Sequence, residues 1–116
     1  MVVYQRAYAT ALVVHRKTLG FPQIEQFALA DQARRASKSV CANIVEGFAR
    51  HHHSAAEFKR FLAIALGSSD EMLLWSQFSY DLGYISHDEW QSWSTEYGEI
   101  SRMIFGLIRN WKSTKN

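Results

Sequence analysis

Cysteine is almost missing from this chain. Cys41 is the single one, so no disulfide forms within it, as in proteins of reducing compartments. Proline is equally scarce: Pro22 stands alone, and only six glycines are spread over 116 residues. Long stretches are therefore free of helix breakers. Long hydrophobic runs are missing too. The longest uncharged stretches, 61–69 and 72–80, are about half of a membrane span. Met1 to Tyr8 has no charged segment leading into an apolar one, so no signal peptide is expected. No segment alternates polar and apolar residues as a half-buried strand would. These absences point to a helical protein of the cytoplasm, away from membranes.

What is present suits one domain over residues 1–116. Hydrophobic residues make up 47% and charged residues 21%, ordinary values for a globular chain. A chain of this size buries roughly two-thirds of its unfolded surface. The net charge of +2 is small, but its distribution is blocked. Residues 1–60 carry nine basic and four acidic side chains; residues 61–101 carry none and seven; residues 102–116 carry four and none.

Punctuation and period predict four helices. The first runs from about Val3 to Leu19, with Gly20 as its C′ residue and Pro22 barring continuation. The second runs from about Leu29 to Ala49; Gln23 to Ala28 reads as a connector or a first turn. Ser54-Ala55-Ala56-Glu57 and Ser86-His87-Asp88-Glu89 both have the capping-box pattern and open the third and fourth helices. Gly83 ends the third. In the fourth, Trp90, Trp93, Tyr97, Ile100, Ile104, Leu107 and Trp111 step by three and four, an a/d stripe. Two connections are short, at His51–His53 and Gly83–Ile85, which implies antiparallel neighbours. The expected fold is all-α, an antiparallel up-down-up-down four-helix bundle.

Catalytic signatures are missing. A carboxylate-bridged di-iron bundle needs Glu-x-x-His pairs, but Leu12, Phe48, Ala49, Arg50 and Tyr84 stand three before the five histidines. There is no phosphate-binding glycine loop and no nucleophile elbow. Cys41 reads as a small core residue in preference to a reactive thiol. His51-His52-His53 reads as a solvated turn in preference to a metal site, for want of fixed tetrahedral partners. Trp90, Trp93 and Trp111 read as core rather than base-stacking platforms, while Trp75, off the main face, suits a subunit interface. No catalytic residue, cofactor or metal is expected.

From Asp31 the chain carries Gln32, Arg34-Arg35-Ala36, Ser39 and Ala42-Asn43-Ile44-Val45-Glu46-Gly47. Glu57-Phe58, Arg60-Phe61-Leu62, Ala65-Leu66-Gly67-Ser68, Glu71 and Asp81-Leu82-Gly83-Tyr84-Ile85 follow. With Phe21-Pro22, Ile104 and Gly106-Leu107-Ile108, these blocks resemble the four-helix bundle proteins encoded in intervening sequences of bacterial 23S ribosomal RNA genes. Cys41 departs from the pattern, standing where proline is common, and the three histidines replace basic and serine residues. The resemblance implies a bundle that assembles into a ring, often a pentamer, without enzymatic activity, and for which RNA binding is the usual proposal. The family is similar, more distantly, to the accessory variability proteins of diversity-generating retroelements, which partner a reverse transcriptase and nucleic acid.

Folding the charge blocks onto such a bundle collects Arg6, Arg50, Lys59, Arg60, Arg109, Lys112 and Lys115 at one pole, beside the three histidines. Glu25, Asp31, Asp81, Asp88, Glu89 and Glu96 go to the other. A basic pole suits the phosphates of RNA or DNA; it also suits a solvated helix end, or a protein partner such as a reverse transcriptase. Asn43, Glu46 and Gly47 read as a polar network fixing helix register in preference to a ligand site. Arg34 and Arg35 divide between an acid across the bundle and solvent or phosphate. Leu74, Trp75 and Phe78 are surplus to one core and favour a homo-oligomer.

Overall fold

The computed structural model describes residues 1–111. Four helices account for most of them: α1 (Val2–Thr18), α2 (Leu29–Arg50), α3 (Ala55–Asp81) and α4 (His87–Asn110), with a short 3-10 turn at Gln23–Glu25. No strand occurs among the described residues. Each expected boundary lies within two residues of the observed one, because each is set by local chemistry.

Gly83 ends α3 in the left-handed region, φ 81°. Its N–H donates to the Tyr80 carbonyl, and the Tyr84 N–H reaches back to Ser79 at 2.8 Å, the paired bonds of a Schellman ending. Glycine adopts this backbone without a Cβ clash. Gly20 does follow α1, but its φ is not positive. Here α1 runs out through right-handed Leu19, and the Gln26 amide donates to the Thr18 and Phe21 carbonyls at 3.0 and 2.9 Å. Arg34 braces the same corner, through Thr18 Oγ1 and the Gln26 carbonyl. It takes neither of the partners expected of it, while Arg35 pairs with Asp31 on its own helix.

The two capping boxes differ. At Ser86 both reciprocal bonds are present. At Ser54 the hydroxyl accepts from the Glu57 N–H, but Glu57 does not reach back. The Ser54 N–H already donates to the Arg50 carbonyl, so the glutamate is free to bond Arg60.

The stripe of α4 is buried at its centre, where Trp93, Tyr97, Ile100 and Ile104 sink into the core. Trp90, Leu107 and Trp111 are half-buried and pack against it. Val14, Val40, Ile44, Phe58, Leu62 and Met72 meet them from the other helices. Contacts of α3 with α2 and with α4 run in opposite sequence order. Gly47 of α2 sits against Phe58 and Leu62 of α3, while Ser39 meets Ser68. Ser101 of α4 bonds Ser69 and Asp70, and Trp90 bonds Gln77. Helix α1 faces α4 through Arg6–Glu96 and Lys17–Glu89. Among the described residues, no helix is long and apolar enough to cross a membrane.

Candidate nucleic-acid interface

The α2–α3 turn gathers cations around an aromatic ring. The guanidiniums of Arg50 and Arg60 lie 5.1 and 4.4 Å from the centre of the half-buried Phe61 ring, within reach of its negative face. Each is also held by a carboxylate on its own helix: Arg50 by Glu46 at 3.3 Å, Arg60 by Glu57 at 2.7 Å. The Arg60 hydrogen bond holds the Glu57 carboxyl below its ordinary pKa and raises that of the guanidinium. Such exposed pairs contribute little stability, but they fix where the charges stand. Lys59, half-buried, precedes Arg60 on α3. Exposed Arg109, near the end of α4, lies 5.7 Å from the Phe105 ring. Neither makes an ion pair among the described residues.

The histidine turn closes this end of the bundle. His51 Nδ1 donates to the Phe48 carbonyl at 2.5 Å, and its ring packs against Phe48, Phe58 and Trp111. His52 and His53 are exposed. Among the described residues no group of three or more His, Cys, Asp or Glu is placed to hold a metal ion.

One of the expected basic residues is elsewhere. Arg6 gives its guanidinium to Glu96, with bonds of 2.7 and 3.2 Å, and that bond raises its pKa. Glu96 does not lie at the far pole. It is the tenth residue of α4 and sits mid-helix, within reach of the arginine. Lys112 and Lys115 lie outside the described residues.

Asn43, Glu46 and Gly47 serve separate ends. The Asn43 amide donates to the Ser39 carbonyl and hydroxyl at 2.9 and 3.0 Å. The Ser39 hydroxyl also accepts from Ser68 at 2.8 Å, which joins α2 to α3. Glu46 stands outside this chain, on Arg50. Gly47 lets the helices approach: a Cβ there would sit 3.3 Å from both the Phe58 carbonyl oxygen and Leu62 Cδ2.

Cys41 is only half-buried. It lines an apolar groove between α1 and α2 with Tyr8, Leu12, His15, Lys38 and Val45. Burial pushes its thiol pKa up, which keeps it protonated and weakly nucleophilic. Tyr97 carries a fully buried hydroxyl with no hydrogen-bond partner among the described residues, and burial raises its pKa strongly.

The sequence reading missed Phe61 between its two arginines and the groove between α1 and α2. The spacings Glu46-x-x-x-Arg50 and Glu57-x-x-Arg60 carried the signal for the first, being those of helical ion pairs. The groove left none, since its walls come from two separate helices.

Together these features define a helical bundle whose buried polar groups join helix to helix and whose cations cluster at one end. The chain belongs to the 23S rRNA-intervening sequence protein family, whose sequence profile matches residues 1–106. Its fold is similar to the crystal structure of a protein with unknown function from the S23 ribosomal protein family of Bacteroides thetaiotaomicron VPI-5482. The two share 24% identity with a TM-score of 0.85, over 94% of this chain and 96% of that one. At that identity the likeness shows the fold alone. No curated protein matches the sequence.

Proposed function

We propose that this protein is a non-enzymatic RNA-binding adaptor of the cytoplasm. In this reading, antiparallel up-down-up-down bundles assemble into a ring, a pentamer, and engage phosphates through the pole at the α2–α3 turn. The observation that carries it is the placement of Arg50 and Arg60 on Phe61, with Lys59 next to Arg60 in the chain. Guanidiniums fixed on an aromatic ring and by a carboxylate are preorganised donors for phosphate oxygens. Two carboxylates, Glu46 and Glu57, oppose four described cations there, so one bundle attracts a polyanion weakly. A ring multiplies that pole around one axis, and avidity rises with it. The family's name refers to 23S rRNA, so RNA is the first polyanion to test. Base-reading motifs are missing from the sequence, so affinity comes from phosphate neutralisation and falls steeply with salt.

The test is titration of labelled 23S rRNA fragments and unrelated RNA at several salt concentrations. The Lys59→Ala/Arg60→Ala variant weakens binding to all sequences alike and lowers the salt slope; Arg16→Ala/Lys17→Ala changes it less. Equal binding by the Lys59/Arg60 variant, with light scattering unchanged, defeats the reading.

A second reading, a protein-interaction scaffold, is favoured by the opposite end, where Phe27 and Ile24 are 90% and 81% exposed. Capture of a polymerase such as a reverse transcriptase by RNA-free protein, lost in Phe27→Ser, supports it.

A further inference from the structure

We infer that the ring closes through two unlike faces: the outer flank of α3 in one copy seats in the α1–α2 groove of the next. This rests on the ring assembly proposed above and names the surfaces that make it.

Both faces are apolar and uncovered. Tyr8 and Val45 of the groove are 50% and 53% exposed, and Ile64 on α3 is 42% exposed. Trp75, Phe78 and Leu82 continue the α3 flank at helical spacing, half-buried or exposed. One face is a cleft and the other a ridge, so they complement each other where two copies of either do not.

Position on the bundle decides what such a contact builds. Ser68 turns towards α2, where it bonds Ser39, whereas Asp70 and Gln77 bond α4. Ile64 and Glu71 lie four and three residues from Ser68, and Trp75 lies four beyond Glu71, so all three share its side of α3. The ridge therefore flanks α2, and the groove lies on the other side of the same helix. Contacts on adjacent sides of a bundle turn each copy relative to the last and close a ring of few members. Contacts on opposite sides continue in a straight line.

Charge and register agree with this. The groove has Lys38 and His15 at its upper end. The ridge belongs to residues 61–101, which contain no lysine or arginine. Copies standing side by side about an axis along the bundle present equal heights to each other. The Ser39–Ser68 bond sets Lys38 level with Ser69, within one helical turn of Glu71. Gly47 against Phe58 and Leu62 sets Val45 level with Leu62, within a turn of Ile64. Thus Lys38 meets Glu71, and Val45 meets Ile64, without any shift of one copy along the other. Glu71 has an oxygen for this, since Trp75 occupies only Oε1. Glu46, at the lower end of the groove, keeps its own partner, Arg50.

The experiment is light scattering on the full chain at micromolar concentration, with circular dichroism to confirm helix content. Ala42→Arg, in the groove, and Ile64→Arg, on the ridge, each lower the mass to that of a single chain. Lys38→Glu and Glu71→Lys each shift the assembly towards smaller species, and the two together in one chain restore it. A parent ring that survives Ala42→Arg overturns this pairing of faces while leaving ring assembly standing. Dissociation by Ile64→Arg but not Ala42→Arg also overturns it, in favour of ridge on ridge. A monomeric parent defeats ring assembly itself. RNA affinity per chain at low salt is measured separately and judges the adaptor reading.

Discussion

The two seams of the bundle are closed by different physics. Between α2 and α3, Gly47 brings backbones together and the Ser39–Asn43–Ser68 chain locks their register. Between α1 and α4, Arg6–Glu96 and Lys17–Glu89 bridge partly exposed side chains, and an open cleft lies among Arg6, Ala9, Trp93 and Glu96. The first seam depends on shape. The second depends on charge. A bundle built this way has one half that tolerates little change and another that adjusts.

Four changes separate the seams. Leu62 is fully buried against Gly47, so Leu62→Ala costs about 2–5 kcal/mol, the range for deleting a large core side chain. Urea unfolding measures it, and a loss under about 0.5 kcal/mol, far below that range, shows that the first seam is not tightly packed. Gly47→Val costs about 1–3 kcal/mol by overpacking, because one of its two nearest neighbours is the Phe58 carbonyl oxygen, which moves only with its helix. An unchanged denaturation midpoint breaks the claim of close approach.

The smallest effects belong to the second seam. A double-mutant cycle on Arg6 and Glu96 gives a coupling below about 1 kcal/mol, and it shrinks as salt is added. Glu89 adds a pH dependence. Burial opposes its charge, but the Ser86 N–H and then Lys17 outweigh burial and hold its carboxyl below the ordinary value. Its stabilisation is therefore complete above the unfolded pKa, about 4.3, and is lost as pH falls through the lower folded value. Glu89→Gln flattens the acid limb of a stability profile; an unchanged limb removes Glu89 as its source.

The sequence made most of the fold legible because the signals were local. Ser86 and Glu89 cap α4 within one turn, Gly83 ends α3, and Trp93, Tyr97, Ile100 and Ile104 announce their buried side by spacing alone. The site was less legible because its geometry depends on competition. Whether Glu57 returns to its cap or turns to Arg60 depends on the Ser54 N–H, which the preceding helix has already taken. Arg6 finds Glu96 across 90 positions, and only the relative lengths of α1 and α4 put them side by side. Cys41 was read as core from its helix, but the burial of its outer side depends on how closely α1 approaches.

The Gly83 turn also bears on the order of folding. It joins α3 to α4 with little loop to close, and the His51–His53 turn does the same for α2 and α3. Loop-closure entropy is small for both, so these three helices dock early and quickly. Helix α1 meets α4 only by closing nearly the whole chain. In hydrogen exchange the amides of α1 open first and at the lowest free energy, while those of α2 and α3 around Ile44 and Leu62 wait for global unfolding.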